Sequence, residues 1–159
     1  MTKQIPLTQG QFAVVDDDVY VWAGRHKWYA RRKGNTFYAV RAVASGKLSQ
    51  KIVRLHREIM NAPDGMHVDH INGNGLDCTR ANMRVCTQSE NKRNRKINSN
   101  NQSGYKGVWW HNSSRKWQSG IRVGGKRVHL GYFANIEDAA RAYDIAALEY
   151  HGEFAKTNF

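Results

Sequence analysis

The chain has 159 residues, enough for one ordinary domain or for two or three small modules, none with a large core of its own. Its 25 Lys and Arg against 13 Asp and Glu give a formal net charge of +12, which predicts an anionic partner, nucleic acid ahead of an anionic membrane surface. No segment approaches the roughly 18 apolar residues of a membrane span, and the N-terminus does not resemble a secretory signal, so we expect a cytoplasmic protein.

Short aromatic and β-branched runs dominate the first 55 residues. The stretches QFAVVDDDVYVW (11–22) and TFYAVRAV (36–43) are typical of strands in a small sheet. Basic residues lie in and between such runs: Arg25, Lys27, Arg31, Arg32, Lys33 and Arg41. Trp28, Tyr29 and Tyr38 have two open roles, as part of a basic hairpin along a phosphate backbone or as core residues. LHREIM (55–60) predicts a short helix that ends before the turn APDG.

The middle of the chain predicts a strand, a loop, a strand and a helix. MHVDHI (66–71) alternates as a strand, and NGNG (72–75) then predicts a loop. ANMRVCT (81–87) predicts a second strand, and QSENKRNRK (88–96) predicts a helix with a dense basic end.

Three residues of this unit have the chemistry of phosphodiester hydrolysis. That reaction needs a nucleophilic water, a group that takes its proton and positive charge near the leaving oxygen. A carboxylate and an amide oxygen suit Mg²⁺ or Mn²⁺, so Asp69, His70 and Asn91 fit these roles. Cys78 and Cys86 lack the paired spacing of a structural zinc site, and none is expected.

The stretch VDHINGNGLDCTRANMRVCTQSENKRN (68–94) resembles the HNH nuclease motif, in the phage and bacterial homing-endonuclease branch whose last histidine is an asparagine. His70 is followed after twelve residues by Asn82 and after nine more by Asn91. The resemblance implies a ββα-metal fold in which Asp69 and Asn91 hold one divalent metal ion. It also implies that His70 is the catalytic general base and that Asn82, also catalytic, keeps the metal-bearing loop in shape.

Some positions near this motif stay open. Asn94 lies one helical turn after Asn91 and is an alternative metal ligand. His56 and His67 are interpreted as structural or DNA-facing and are left outside the predicted site. Many relatives have Asp-Asn-Arg after the loop, whereas residues 77–80 here are DCTR, so the hydrogen bonding of the loop is not predicted.

The last third of the chain predicts a second module. INSNNQSG (97–104) is polar and without apolar periodicity, which is typical of a linker. KGVWWH, KWQSGIRV and KRVHLGYF predict a three-stranded antiparallel sheet with a hairpin at Gly124-Gly125. A helix follows, capped by Asn135 and ended by Gly152. Its inward face is expected to hold Ala139, Tyr143, Ala146 and Tyr150.

This module is similar to the AP-two/ERF DNA-binding domain of plant transcription factors, which also occurs behind HNH domains in phage nucleases. The resemblance implies that the open face of the sheet lies in the major groove of DNA. Matching by position nominates these DNA-binding residues: Lys106, Trp109, His111, Lys116, Arg122, Arg127 and His129. Trp110 and Trp117 are expected to be buried anchors.

The predicted fold class is α+β: N-terminal strands leading into a ββα-metal unit, then a three-stranded sheet on one helix. The expected domains are a nuclease domain at 1–96 with its core at about 64–96, a linker at 97–104 and a DNA-binding domain at 105–159. The basic run at the end of the predicted helix is expected to grip phosphates; its members are Lys92, Arg93, Arg95 and Lys96.

The predicted function is a site-specific, homing-type endonuclease that nicks double-stranded DNA with one divalent metal ion. A monomer in the cytoplasm of a phage-infected or bacterial cell is expected. The alternatives are a DNA-binding regulator with an inactive HNH scaffold and a nuclease that defends against foreign DNA. RNA or a membrane surface is the alternative partner.

Overall fold

The computed structural model describes residues 1–46 and 49–159, which form two compact units, 1–91 and 92–159. Both units contain small antiparallel sheets and few helices, which confirms a mixed α and β fold. The predicted domain limits at 96 and 104 and the metal-centred ββα arrangement remain predictions. No helix within the described ranges has the length and apolar character needed to cross a membrane.

The N-terminal unit is built from three small sheets and short helices. Strands β1 (Thr2–Pro6) and β2 (Phe12–Asp16) pair, and α1 (Asp17–Ala23) follows. Strands β3 (Tyr29–Lys33), β4 (Thr36–Ala44) and β5 (Gln50–Arg54) form a meander that leads into α2 (Leu55–Ile59). Strands β6 (His67–His70) and β7 (Met83–Cys86) form the third pair, a short 3₁₀ turn (Arg80–Asn82) precedes β7, and α3 (Gln88–Arg93) begins directly afterwards.

One apolar cluster joins the first strands to the β6–β7 pair. The buried members come from β2, α1, β4, α2, β6, β7 and the loop between β6 and β7; they include Val15, Val19, Ala39, Leu55, Val68, Cys78 and Met83. Trp28 belongs to the same cluster, and its indole Nε1 donates to the Ala23 carbonyl at 2.9 Å. Of the two roles left open for Trp28, the core role is therefore observed.

The strand predicted over 11–22 is wrong in its second half. The strand ends at Asp16, and residues Asp17–Ala23 form α1. Asp17 and Asp18 lie in the first turn, where negative charge interacts favourably with the helix dipole. Val19 and Ala23 are buried four residues apart, which is helical spacing and not the alternation of a strand.

The C-terminal unit is a three-stranded sheet with one long helix. Strands β8 (Val108–His111), β9 (Lys116–Val123) and β10 (Lys126–Phe133) are antiparallel, with β9 in the centre. Gly124 and Gly125 have φ values of 55° and 82°, as a tight two-residue hairpin requires. Helix α4 (Ile136–His151) starts at Asn135, whose side chain accepts from the Glu137 amide at 2.8 Å. The strands, the hairpin and the capped helix agree with prediction.

Two aromatic side chains of this unit differ from expectation. Trp110 is 45% exposed on the edge strand β8, where the ring of Trp117 lies beside it, at 5.1 Å between centroids. Tyr150 is 44% exposed, because the apolar cluster under α4 ends one turn earlier, at Ala147. Trp117, by contrast, packs against the core as predicted.

Candidate functional site

The loop between β6 and β7 is closed by the side chain of Asn82. Its Oδ1 accepts from the Asn72 amide at 3.0 Å, and its Nδ2 donates to the Asp77 carbonyl at 2.9 Å. The Ile71 amide donates to the Asn82 carbonyl at 2.9 Å. The Asp77 carboxylate accepts from Asn72 Nδ2 at 2.8 Å and from Thr79 Oγ1 at 2.9 Å, which supplies the hydrogen bonds that the sequence left open. Asn82 therefore joins both ends of the loop.

Asp69 lies at the centre of β6, and its side chain is 5% exposed. Arg84 stands directly opposite on β7, and its Nε and Nη2 both donate to Asp69 Oδ2, at 3.0 and 2.8 Å. Such charge-assisted hydrogen bonds fix the carboxylate in position and offset part of the cost of burying it. Sequence analysis missed Arg84, because two predicted strands do not by themselves give the register that puts it opposite Asp69.

His70 is 6% exposed and lies within a group of three rings. The His56 ring meets it edge to face at 5.1 Å between centroids, and the Tyr38 ring is 5.9 Å away. Burial lowers the pKa of His70, while the nearby Asp69 and Asp77 carboxylates oppose that shift. A lowered pKa leaves the imidazole neutral at neutral pH, with a lone pair that can accept a proton.

His56, left outside the predicted site, is as buried as His70. Burial lowers its pKa to about 3, with smaller effects of His70, Arg54 and Arg57 in the same direction. Its Nδ1 is buried with no hydrogen-bond partner among the described residues. The sequence signal for His56 is its position in LHREIM, directly after β5. Helix α2 continues from that strand, which puts His56 beside Tyr38.

Asn91 lies on α3 at the wall of a cavity of about 460 Å³ within the N-terminal unit. The same cavity is lined by His56, His67 and Tyr38 and by the basic side chains of Lys33 and Arg54. Asp69 and His70 are buried, whereas Asn91 faces this open volume. The structure thus brings Tyr38, His56 and His70 into contact and gives Asn91 a neighbouring cavity.

The donor atoms fit a site for a hard divalent ion. Within 1–46 and 49–159, no three His, Cys, Asp or Glu side chains cluster as a metal site would require. The predicted pair of Asp69 and Asn91 is a smaller set, one carboxylate and one amide. Mg²⁺ commonly takes only one or two protein oxygens and keeps water and substrate phosphate as its other ligands. The chemistry of the pair therefore suits Mg²⁺ or Mn²⁺.

Helix α3 begins with a reciprocal cap. Glu90 Oε2 accepts from the Thr87 amide at 2.8 Å, and Thr87 Oγ1 accepts from the Glu90 amide at 3.3 Å. This capping box fixes the start of the helix one turn before Asn91. Because Asn91 follows directly after Glu90, the cap also sets the direction in which its side chain leaves the helix.

The predicted basic run belongs to the C-terminal unit. Lys92 and Arg93 occupy the last turn of α3, and Arg95 and Lys96 follow it. Lys106 donates from its Nζ to the backbone carbonyls of Arg93 and Arg95. Burial lowers the pKa of Lys106 to about 8. The nominated side chain of Lys106 is therefore used inside the unit, where it binds the carbonyls at the end of α3.

The other nominated residues of the sheet share one face. Trp109 and His111 lie on β8 opposite Gln118 and Lys116 of β9, and the pleat puts such pairs on the same side. The register continues with Arg122 opposite Arg127, and with His129 opposite Gly120. The opposite face carries Ile121 and Val128, which pack against α4.

Gly120 makes room for an aromatic platform on that open face. A Cβ atom at Gly120 would lie 2.8 Å from Cη2 of Trp109, so the indole needs the bare backbone there. The guanidinium of Arg127 lies 5.0 Å from the Trp109 ring centroid, a cation–π contact. The platform presents an aromatic surface and a cation side by side.

Two further side chains of the open face were missed. Gln118 accepts from Trp109 Nε1 at 3.1 Å, and its Nε2 lies 3.0 Å from His129 Nδ1. Tyr132 is half exposed and contacts both His111 and His129, with ring centroids 5.0 and 4.7 Å apart. Gln118 could have been predicted, because alternate residues of β9 point to the open face. Tyr132 could not, because the β-bulge between His129 and Gly131 reverses which residues of β10 point to that face.

Comparison with known proteins agrees with this division. Residues 61–93 match the family described as HNH endonuclease, and residues 103–153 match the AP2 domain. The chain is 30% identical over 156 residues to "Uncharacterized HNH endonuclease L560" of Acanthamoeba polyphaga mimivirus, covering 94% of this chain and 76% of that protein. It is 32% identical over 117 residues to "Protein 3.8" of Escherichia phage T7, covering 70% of this chain and 96% of that protein.

The C-terminal unit has relatives of another kind. Over 57 residues the chain is 51% identical to the AP2-like ethylene-responsive transcription factor AIL7 of Arabidopsis thaliana, covering 35% of this chain and 11% of that protein. The chain belongs to the HNH endonuclease family and carries an AP2 domain behind the HNH motif.

Proposed function

We propose that the protein is a site-specific DNA endonuclease of the homing type that cuts one strand of duplex DNA with the help of one divalent metal ion. The observation that carries this proposal is the pair of adjacent side chains Asp69 and His70, each held in a defined position beside a loop closed by Asn82. These residues lie within the segment that matches the HNH endonuclease family.

Asp69 and Asn91 would hold the metal ion, which makes the unit of β6, β7 and α3 a ββα-metal site. When bound, Mg²⁺ or Mn²⁺ supplies positive charge that polarises the phosphodiester and stabilises the leaving oxygen. Arg84 keeps the Asp69 carboxylate in a fixed orientation. Asn91 is preferred to Asn94 as the second ligand because Asn91 lines a cavity beside His56 and His67.

His70 acts as the general base. Its pKa is lowered by burial, so the ring is neutral and can take the proton of the attacking water at neutral pH. The Asp69 and Asp77 carboxylates then stabilise the imidazolium that forms. Edge-to-face contact with His56 limits the rotation of the ring, which keeps the accepting nitrogen aligned during the step. Asn82 contributes by holding the loop that follows His70.

The AP2 domain selects and orients the duplex. The open face of the sheet carries the nominated side chains Trp109, His111, Lys116, Arg122, Arg127 and His129, together with Gln118 and Tyr132. The nominated Lys106 acts indirectly, by holding the backbone at the end of α3. Arginine and lysine contacts to phosphates provide affinity, while polar side chains read base edges. The basic run from Lys92 to Lys96 grips the backbone near the cut. One active site per chain makes a monomer a nicking enzyme.

The proposal is tested by incubating supercoiled plasmid with the protein and Mg²⁺ or Mn²⁺. We expect a nicked circle, no reaction with a chelator present, and loss of the reaction in His70→Ala. The matched control is His26→Ala, which removes an exposed histidine from the same unit and should keep most of the activity. A linear product without a nicked precursor would contradict nicking, and an uncut plasmid would instead indicate a DNA-binding regulator. Products from a randomised duplex library would give the target site.

A further inference from the structure

We infer that the cavity beside α2 is a binding site for a backbone phosphate of DNA, held by Lys33 and Arg54. This inference rests on the proposed function only in taking duplex DNA as the substrate. It assigns a role to the β3–β4–β5 sheet, which lies outside the matched HNH and AP2 segments. The site would give the N-terminal unit its own contact with DNA, independent of the AP2 domain.

The sheet register puts both cations on one face. Arg54 pairs with Val40, and Tyr38 lies two residues before Val40, so Arg54 and Tyr38 point to the same side of the sheet. Tyr38 in turn pairs with Arg31, and Lys33 lies two residues beyond Arg31. Lys33, Tyr38 and Arg54 all line the cavity of about 460 Å³. The register and the cavity agree on the same face.

Two neighbouring cations, Arg57 and Arg41, already have partners. Arg57, which also lines the cavity, donates to the carbonyls of Ala62, Pro63 and Met66 at 2.6 to 3.0 Å. Arg41 lies on the other face of the sheet and pairs with Glu58 at 2.8 Å. Lys33 and Arg54 are exposed, and their side chains make no ion pair or hydrogen bond with the part of the chain that the structure describes. Their charges are therefore available to a ligand.

The charge of the wall selects an anion. Lys33, Arg54 and Arg57 face a single carboxylate, that of Asp64, among the described wall residues. A guanidinium presents paired donors that match phosphate oxygens, and an ammonium adds a mobile positive charge. His56 and His67 add polar ring atoms without adding charge when neutral. Such a wall suits a phosphodiester better than a neutral or cationic ligand.

The position of the cavity relates the phosphate to the cut. Tyr38 is both a wall residue and a neighbour of the His70 ring, at 5.9 Å between centroids. Asn91, the proposed metal ligand, lies on the same wall. A phosphate held by Lys33 and Arg54 would therefore lie close to the proposed base and the proposed metal ligand.

The experiment measures binding of a duplex of about 20 base pairs by the full chain over a range of salt concentrations. The background is His70→Ala, so that the DNA stays intact. In that background, Lys33→Gln with Arg54→Gln should reduce the slope of log K against log salt by about 0.9, since the loss of one phosphate contact removes about 0.9. The matched control is Arg32→Gln with Lys51→Gln, which removes two exposed charges from the same two strands on the opposite face.

The control should leave the slope almost unchanged. An equal reduction in both double variants, or no reduction in either, would overturn the inference. Equal melting temperatures of the two double variants exclude loss of folding as the cause. If the parent chain with its metal ion left the plasmid uncut while the slope still fell in the His70→Ala background, the nuclease proposal alone would be refuted. Cleavage with an unchanged slope would refute the phosphate site alone.

Discussion

His56 and His70 meet edge to face, with their ring centroids 5.1 Å apart and their planes at 90°. Tyr38 contacts both rings, at 5.4 and 5.9 Å, so the proposed base sits in a small aromatic box. Strand β4 and helix α2 supply two walls of that box. The N-terminal strands therefore help to enclose the proposed base, and the HNH segment packs against them.

His56 should make the N-terminal unit sensitive to acid. Its pKa is about 3 in the folded state, against about 6.5 for an unperturbed histidine. The unfolded chain thus binds a proton below pH 6.5 that the folded chain excludes until about pH 3, so stability falls as pH falls through this window. One such proton changes the free energy of unfolding by up to about 1.4 kcal/mol per pH unit. Above pH 6.5 the His56 ring is neutral in both the folded and the unfolded chain, so its contribution to stability is complete there.

The substitution His56→Phe keeps a ring and removes the titration. We expect the free energy of unfolding to change less between pH 6 and pH 4 in this variant than in the parent. The free energy of unfolding of the variant should still depend on pH to some extent, because burial also lowers the pKa of His70. Urea unfolding followed by NMR signals of the N-terminal unit measures this, with His67→Phe as the control. Identical pH profiles of parent and His56→Phe would contradict the prediction.

The ion pair of Arg84 with Asp69 should be needed both for the stability of the protein and for cleavage of DNA. Removing Arg84 leaves a buried carboxylate without its cation, which typically costs about 3–5 kcal/mol. We expect Arg84→Met to be destabilised by about 3 kcal/mol and to cut DNA at least tenfold more slowly. Chemical denaturation and plasmid nicking measure the two effects.

A double variant separates those two effects. Asp69→Leu combined with Arg84→Met replaces the pair by apolar side chains and should recover most of the stability lost in Arg84→Met, but none of the activity. Arg84→Lys keeps the charge but has only one nitrogen to offer and should be intermediate in both assays. If the double variant were less stable than Arg84→Met, the pair would not be coupled as described.

Asn82 should act through the shape of the loop. Its amide supplies donors to the Asp77 carbonyl and to Asn72 Oδ1, and its oxygen accepts from the Asn72 amide. Asn82→Asp keeps the acceptor and removes both donors, whereas Asn82→Ala removes everything. We expect losses of about 2 and about 3 kcal/mol of unfolding free energy, respectively, since an ordinary hydrogen bond contributes about 1 kcal/mol. Asn82→Asp should also nick DNA faster than Asn82→Ala. The reverse order would contradict the prediction.

Gly107 should be irreplaceable in the C-terminal unit. It has a φ of 76°, and a Cβ atom there would lie 1.9 Å from Cδ2 of Tyr143. Gly104 has a similar φ of 74° but no atom within 4 Å of an added Cβ. Gly104→Ala therefore has only the backbone cost of about 1–2 kcal/mol, and Gly107→Ala adds a clash of about 1–3 kcal/mol. Thermal unfolding should rank Gly107→Ala clearly below Gly104→Ala, and equal melting temperatures would contradict the clash.

The features that local sequence patterns could predict are those set by neighbouring residues. Strand alternation in β8 to β10, the Asn135 cap and the Gly124-Gly125 hairpin are all local, and each is found where the sequence placed it. Helix α1 was missed because Asp17–Ala23 contains β-branched and aromatic residues that also suit a strand. The spacing of the buried residues Val19 and Ala23, four positions apart, favours the helix there, whereas the composition does not.

The candidate site was predictable only in part for a different reason. Asp69, His70, Asn82 and Asn91 follow a spacing along the chain, so the motif could be recognised without a structure. Arg84 and His56 act across strands, and their proximity to Asp69 and His70 depends on the register of β6 with β7 and on the packing of α2. Such long-range pairing has no signature within a short window of sequence.

Both cysteines of the chain, Cys78 and Cys86, are buried, and burial raises the pKa of Cys78 to about 12. The reactive thiolate form is thus almost absent while the N-terminal unit stays folded. Peroxide or an alkylating reagent would meet a sulfur atom only after that core has opened. Both thiols of the folded protein are consequently shielded from oxidants, and thiol modification would report on molecules whose N-terminal core has opened.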